Sequence, residues 1–320
     1  MTRVDSTASS ARATAPGSIG NLGPGLDVLG CALSGARDEV VAEWSDAKGV
    51  TVRDPGHTEL PVNAERHTSA IAANAVLDAA TRMGVHMVAA GVALSVRKGL
   101  PLSGGQGGSA ASAVAGASAV NALLGSVLDA ARLLECCLVA EAKVAGRHLD
   151  NIAPQLLGGI VLVKSVTPID VVRLPVPDKL IFVLAHPSQR LSTSVARRAL
   201  PRSVDLSIVT HQLAQVAAVV AACYTNDVEL FGRAIDDRIA EPARLHLLPG
   251  FAEAKRAALE AGALGASISG AGPTSFAVTD DHVRAEAIAA AMKEAYARVP
   301  LPCVTTITTI DRHGTIVETS

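Results

Sequence analysis

The run Pro101-Leu102-Ser103-Gly104-Gly105-Gln106-Gly107-Gly108-Ser109-Ala110-Ala111-Ser112 puts four glycines ahead of a serine and a helix-forming stretch. Glycine lets a backbone come close to a ligand and take positive φ. The start of the following helix offers free N–H groups and the positive end of its dipole. Together these features suit the phosphates of a nucleotide, and the Ser109 hydroxyl can face a divalent cation or cap the helix. A plain glycine-rich turn capped by Ser109 fits the same residues. The run is not a Walker A loop, because no Gly-Lys-Ser/Thr follows, and it is not the G-x-G-x-x-G that opens a βαβ unit.

Other polar groups stand at spacings that could serve such a loop. Asn21-Leu22-Gly23-Pro24-Gly25-Leu26-Asp27 holds two polar side chains around a tight turn, able to grip an ammonium or hydroxyl, although Asn and Asp favour turns for local reasons too. Glu141 sits near the end of a predicted helix, followed by Arg147-His148-Leu149-Asp150-Asn151. One carboxylate with Ser109 is protein enough for Mg²⁺, whose other ligands are waters and phosphate oxygens. Thr193 and Arg197, at i and i+4, share a helix face, and Arg244 lies in Glu241-Pro242-Ala243-Arg244. The guanidinium forks suit a carboxylate or a phosphate. Gly265–Thr274 reads as a second small-residue loop.

The elements that must position these residues mix strand and helix in both halves. Strands are predicted at Val40–Trp44, Gly49–Arg53, Gly91–Arg97, Gly158–Val163, Lys179–Ala185, Ser275–Val278, Val304–Ile310 and Thr315–Glu318. Helices are predicted at Thr68–Met83, Ser109–Leu124, Asp129–Ala145, Leu206–Thr225, Asp227–Ala240, Phe251–Ala261 and His282–Arg298. Strands are not followed regularly by helices, which disfavours a doubly wound sheet and favours α+β. A loose tail is expected over 1–14, then units at 15–165 and 166–320, broken near Pro168, Pro175 and Pro177.

Composition narrows the function. Aromatics make up 2% of the chain, too few for the stacking platforms that bind single strands. The net charge is −2 with no basic block, so no nucleic-acid partner is expected. Nor is a membrane partner, since no apolar run reads as a span. Cys31, Cys136, Cys137, Cys223 and Cys303 form no C-x-x-C and suit buried thiols in a cytoplasm. His57, His86, His186, His211, His246, His282 and His313 show no metal spacing.

Taken in order, these segments resemble the GHMP kinase family, and within it the homoserine kinases. Asn21 to Gly30 is similar to the family's Asn-Leu-Gly-Pro-Gly-Phe-Asp-x-x-Gly, with Leu26 for Phe. The central run is similar to its Pro-x-x-x-Gly-Leu-Gly-Ser-Ser-Ala-Ala loop. His148-Leu149-Asp150-Asn151-Ile152-Ala153-Pro154, Ser192-Thr193 through Arg197 to Leu200-Pro201, Ile239 to Phe251, and Ser269-Gly270-Ala271-Gly272-Pro273-Thr274 follow other family segments in sequence. The resemblance implies two GHMP domains, the first like domain 2 of S5 and the second ferredoxin-like. It implies ATP and Mg²⁺ as cofactors, with Ser109 and Glu141 on the metal. Lys98, Gly104, Gly105, Gln106, Gly107, Gly108, Ala110 and His67 would lie beside the nucleotide, and Thr193 near its γ-phosphate. Asn21, Asp27, His148, Asn151, Arg197, Arg244 and Gly270 would surround L-homoserine, the arginines taking its carboxylate. Asn151, Thr193 and Arg197 are the expected catalytic group; Asn151 stands where related kinases carry an Asp. The expected reaction makes O-phospho-L-homoserine in threonine biosynthesis, in a cytoplasmic homodimer. Another small-alcohol kinase or a non-catalytic sensor of the same fold are the alternatives.

Three positions depart from the family pattern. Gln106 replaces the loop leucine, Gly108 replaces its first serine, and His67 stands where an asparagine is usual near the adenine. The Gln106 amide is expected to compensate by reaching the phosphates; the competing expectation is that Gly108 holds positive φ.

Overall fold

The computed structural model describes residues 8–320. Its first sheet has seven strands: β1 (Ser10–Gly20), β2 (Leu29–Ser45), β3 (Gly49–Asp54), β4 (Gly91–Arg97), β5 (Ile160–Val166), β6 (Ile169–Leu174) and, at the far end of the chain, Ile316–Thr319. Helices α1 (Thr68–Arg82), α2 (Gly108–Leu123) and α3 (Ala130–Val144) share its core, and the short α4 (Ile152–Leu157) follows the site residues His148–Asn151. Helix α2 explains the shortage of large side chains. Ala110 through Leu123 are all buried, and Gly116 lies so close to α1 that a Cβ there would sit 2.6 Å from the Ser69 carbonyl oxygen. Thin helices approach the sheet and each other closely, so packing density replaces bulk.

The second sheet contains β7 (Ile181–Pro187), β8 (Gly265–Ile268), β9 (Ser275–Thr279) and β10 (Cys303–Thr309), in the order β10-β7-β9-β8, all antiparallel. Renumbered one to four, that is 4-1-3-2, the ferredoxin-like arrangement. Between β7 and β8 run α5 (Thr193–Arg198), α6 (Leu206–Thr225), α7 (Val228–Arg233), α8 (Ala240–Arg244) and α9 (Phe251–Glu260); α10 (His282–Ala297) joins β9 to β10. The final strand, β11 (Ile316–Thr319), pairs antiparallel with β1. Strands β6 and β11 therefore bring residues from beyond 166 into the first sheet. Ile19, Leu22, Leu29 and Cys31 pack with Phe182, Phe231 and Phe276 of the second half, where Phe182 meets Phe231 edge-on at 6.4 Å. Three of the chain's four phenylalanines thus sit where the halves meet.

The structure differs from the sequence expectations in several places. Residues 1–7 of the expected tail lie outside the described residues, but from Ser10 the chain is already β1, with Ala11 and Ala13 buried and Arg12 paired to Glu39. The helix expected over 227–240 stops at Arg233. The Asp237 carboxylate takes the N–H groups of Ile239, Ala240 and Glu241, so it ends one segment and caps the next. Gly265–Ile268, read as loop, is strand β8. Finally, α6 does have the length and composition of a membrane span, with no Asp, Glu, Lys or Arg in 20 residues and a mean hydropathy of 1.6 over its window. Its Val219, Ala222 and Cys223 pack into the core between the halves, and Gln212 donates to the Pro24 carbonyl and to Asp237.

Candidate active site

The glycine-rich loop joins β4 to α2 and is held on both sides. Gly105 and Gly107 take φ of 76° and 67°. A Cβ on Gly107 would lie 2.2 Å from Ser18 Oγ, and one on Gly105 would lie 2.7 Å from the Gly272 oxygen. The second loop is sewn to the first, because Ser269 Oγ donates to the Gly105 carbonyl (2.6 Å) and Thr274 Oγ1 to that of Gly104 (2.5 Å). On the other flank Ser18 N–H donates to the Gln106 carbonyl (3.1 Å). The mouth of α2 opens into a cleft of about 460 Å³ lined by Gly104, Gly105, Gly107, Gly108, Ser109, Ala110, Lys98, His67, Glu141, Asn151, Thr193 and Gly270. A larger cavity of about 540 Å³ lies between α1 and α3, lined by Asp78, Arg82, Arg132 and Glu135, and includes none of these residues.

Of the nucleotide-side residues, Gln106 lies outside the cleft, while Gly108, Lys98 and His67 line it. Gln106 turns its amide toward Thr274 Oγ1 (3.4 Å) and lines a different depression, with His186 and Val304; it does not border the cleft. Gly108 is not in the left-handed region, and a Cβ there would meet the Pro101 carbonyl oxygen at 3.3 Å, so a serine needs only a small adjustment. The Lys98 side chain is buried, its ammonium bonded to Asp38, to Ser112 Oγ (2.9 Å) and to the Gly108 carbonyl (2.9 Å). It braces the first turn of α2 from beneath, and its three donors are already committed. His67 is likewise occupied: Nδ1 pairs with Ser69 Oγ (2.7 Å) and Nε2 with the Pro55 carbonyl (3.2 Å), and burial holds its pKa down.

Glu141 projects from α3 into the same cleft. It is 7% exposed, and its Oε2 is buried with no hydrogen-bond partner. Burial first, and the Asp150 carboxyl second, push its pKa up to about 8. A buried carboxylate oxygen without a donor is costly unless a cation arrives. Ser109, exposed on the first turn of α2, lines the cleft too. These two oxygens are the protein groups that could hold a hard divalent cation. No cluster of three or more His, Cys, Asp or Glu arranged for a metal exists among the described residues, so phosphate and water oxygens would complete the shell.

A polar cluster adjoins the cleft at Gly270 and Asn151. Asn21 and Asp27 flank the β1–β2 turn with φ of 65° and 62°, conformations Asn and Asp tolerate better than most residues. Asn21 Nδ2 donates to the Gly270 carbonyl (3.0 Å), its Oδ1 accepts the Asp27 N–H (3.2 Å), and its N–H donates to Asp150 Oδ2 (3.0 Å). Arg197 grips Asp27 with both Nη atoms at 2.7 Å, and His148 lies 3.0 Å from Arg197 and 3.3 Å from Asp27. Burial works to raise the Asp27 pKa, but the Arg197 hydrogen bonds and the charges of His148, Arg197 and Arg244 hold it below the usual range. Arg244 is 2% exposed and donates to the carbonyls of Ala196 (3.2 Å) and Gly270 (2.9 Å), with no carboxylate partner among the described residues. Burial, then the Arg197 charge, lowers its pKa.

Thus Asn21, Asp27, His148, Arg197, Arg244 and Gly270 come together. Thr193, first residue of α5, lines the cleft beside them. Sequence reasoning missed Asp150, Ser18 and Gln155. Burial first, and the Asp27 charge second, push Asp150 to about 7. Nothing in their types marks them, since each acts through partners more than a hundred residues away; the only local hint was Asp150 beside Asn151.

The comparisons agree with this architecture. The family model for the GHMP kinases N terminal domain matches residues 68–159, and the one for GHMP kinases C terminal matches 219–298. A homoserine kinase of Chlorobium phaeovibrioides is 40% identical over 296 residues, 90% of this chain and 92% of that one. The Arabidopsis thaliana homoserine kinase is 39% identical, covering 95% and 84%. A crystal structure of homoserine kinase from Cytophaga hutchinsonii superposes with a TM-score of 0.90 at 39% identity, over 98% of this chain and 99% of that one. An L. major mevalonate kinase shares the fold at 16% identity and a TM-score of 0.72, over 96% and 98%. With its loops, its two sheets and these relatives in agreement, the chain belongs to the GHMP kinase family, among its homoserine kinases.

Proposed function

We propose that this enzyme transfers the γ-phosphoryl group of ATP to the side-chain hydroxyl of L-homoserine, giving O-phospho-L-homoserine and ADP for threonine biosynthesis. The observation that carries this reading is Arg244, a buried guanidinium without a carboxylate among the described residues, set beside the Asp27–Arg197–His148 group at the edge of the cleft. That charge pattern suits a zwitterion. The substrate carboxylate goes to Arg244 and Arg197, its ammonium to Asp27, and Asn21 and Gly270 close the pocket.

ATP would lie with its phosphates along Gly104–Gly108 and the first turn of α2, near Ala110, and its base toward the His67 wall. Glu141 and Ser109 would hold Mg²⁺, which when bound neutralises phosphate charge. The chain itself contributes mostly placement. Thr193 stands by the γ-phosphate and Asn151 beside the reacting hydroxyl. In a loose phosphoryl transfer the hydroxyl proton leaves late, so an amide is enough where a base would otherwise be needed.

In this reading residues 15–165 form the nucleotide-binding unit and 166–320 complete the acceptor side. The protein works in the cytoplasm as a homodimer, without nucleic-acid or membrane partners. Its five free, buried cysteines suit a reducing compartment, and the uncharged outer face of α6, with Leu206 and Leu213 exposed, suits a second copy. Phosphorus NMR on purified protein given ATP, Mg²⁺ and L-homoserine should show a new phosphomonoester growing with ADP; ADP without that product overturns the acceptor assignment.

A further inference from the structure

Behind the phosphate loop lies a closed relay of hydrogen bonds that no step above uses. Ser18, on β1, and Gln155, on α4, are both fully buried. Gln155 Nε2 donates to the Gly107 carbonyl (3.0 Å) and to Ser18 Oγ (3.0 Å), and Ser18 Oγ donates to Asn151 Oδ1 (2.9 Å). The directions follow from inventory alone. The Gly107 carbonyl can only accept, so the Gln155 amide must face it with its nitrogen; its Oε1 is left buried without a partner. Ser18 Oγ then accepts a hydrogen bond from Gln155 and donates its own O–H, which Asn151 must accept with Oδ1. The Asn151 NH₂ is thereby turned the other way. It has no protein partner among the described residues and is not among the buried unpaired atoms, while Asn151 lines the cleft.

We propose that Ser18 and Gln155 are positioning residues that lock the Asn151 amide so that its NH₂ faces the reacting oxygens. The phosphate loop itself sets that orientation through the Gly107 carbonyl. The packing leaves no slack, because a Cβ on Gly107 would strike Ser18 Oγ at 2.2 Å and Gln155 Nε2 at 2.6 Å, and one on Gly20 would strike Asn151 Nδ2 at 2.6 Å. An amide flipped by 180° would put its oxygen toward the phosphates and leave the Ser18 proton without an acceptor. The relay thus couples the nucleotide side of the cleft to the acceptor side. This role rests on the reading of the cleft as the phosphoryl-transfer site.

The test is a double-mutant cycle with an orientation readout that needs no turnover. Ser18→Ala should lower kcat by about ten- to a hundredfold, the scale of a misdirected transition-state donor, while the KM for ATP stays within about twofold. In the Ser18→Ala/Asn151→Ala double variant the loss should be no larger than in Asn151→Ala alone, because Ser18 acts through that amide. Gln155→Glu should lose activity at neutral pH and regain part of it as the pH falls, because the protonated carboxyl supplies one of the two donors that the amide had; a packing defect would show no such recovery. By NMR of the wild-type protein, the Gln155 NH₂ should be protected from solvent exchange and the Asn151 NH₂ should exchange freely. Additive losses in the cycle, or a protected Asn151 NH₂, overturn the proposal. If the wild type proves inactive on homoserine, the functional reading fails, and the exchange measurement still decides the relay.

Discussion

Replacing Glu141 by Gln keeps the shape of a side chain whose charge the fold holds at a cost. Below about pH 4.5, its ordinary value, the carboxyl is protonated in both the folded and the unfolded chain and contributes nothing to pH dependence. Between 4.5 and about 8 the unfolded chain releases the proton and the folded chain keeps it, so stability falls as pH rises; above 8 the loss is constant. At ~1.4 kcal/mol per tenfold, the full loss is roughly 5 kcal/mol, and at pH 7 about 3 kcal/mol. The amide brings its own penalty of about 1–3 kcal/mol, because it places a donor where the carboxylate has no partner. That penalty does not change with pH, so the slope decides the matter, and the stability at any single pH does not. Asp150, raised to about 7, leaves a residual slope in both proteins. Denaturant unfolding from pH 4.5 to 8.5 without metal should give a flatter profile for Glu141→Gln. Mg²⁺ with nucleotide at pH 8 should raise the melting temperature of the wild type well above that of the variant, and kcat should fall by about two to four orders of magnitude. Equal pH slopes would mean that Glu141 is not held protonated by the fold, and wild-type turnover in the variant would remove it from the metal site.

Arg244→Lys keeps the charge but loses the fork that reaches the Gly270 and Ala196 carbonyls; the KM for homoserine should rise and that for ATP should hold, and a shift in the ATP constant instead would put this arginine on the phosphate side. Gly108→Ser should tighten ATP binding about ten- to a hundredfold by adding a hydroxyl donor near charged oxygens, whereas Gln106→Leu should leave it within about twofold, given where that side chain points; calorimetric titration of ATP into each separates the two. Gly107→Ala should abolish measurable nucleotide binding, since the residue sits at φ 67° against Ser18; ATP affinity like that of the wild type in the same titration would contradict the loop geometry.

Strong periodicity was legible and interrupted periodicity was not. The sequence reading placed β4 at Gly91–Arg97 and α6 at Leu206–Thr225, the spans found in the structure. Strand β1 escaped because the Ser/Thr/Ala-rich start of the chain reads as a loose tail, and its pairing with β2 is interrupted at Pro16 and Gly17. The site was legible where residue type carries the chemistry, as with Arg197 and Asp27. It was illegible where orientation decides. Gln106 and Lys98 stand at the loop in sequence, but one turns toward Thr274 and the other is consumed by Asp38. Ser18 and Gln155 gain their role only when folding brings them to Gly107.

Acceptor selectivity is read by comparing kcat/KM for L-homoserine with that for L-serine, L-threonine, mevalonate and galactose, under saturating ATP and Mg²⁺. L-Homoserine should lead, with mevalonate and galactose, which lack the amino-acid ammonium, at background. Comparable or faster phosphorylation of an acceptor without that zwitterion would contradict the assignment of Asp27, Arg197 and Arg244.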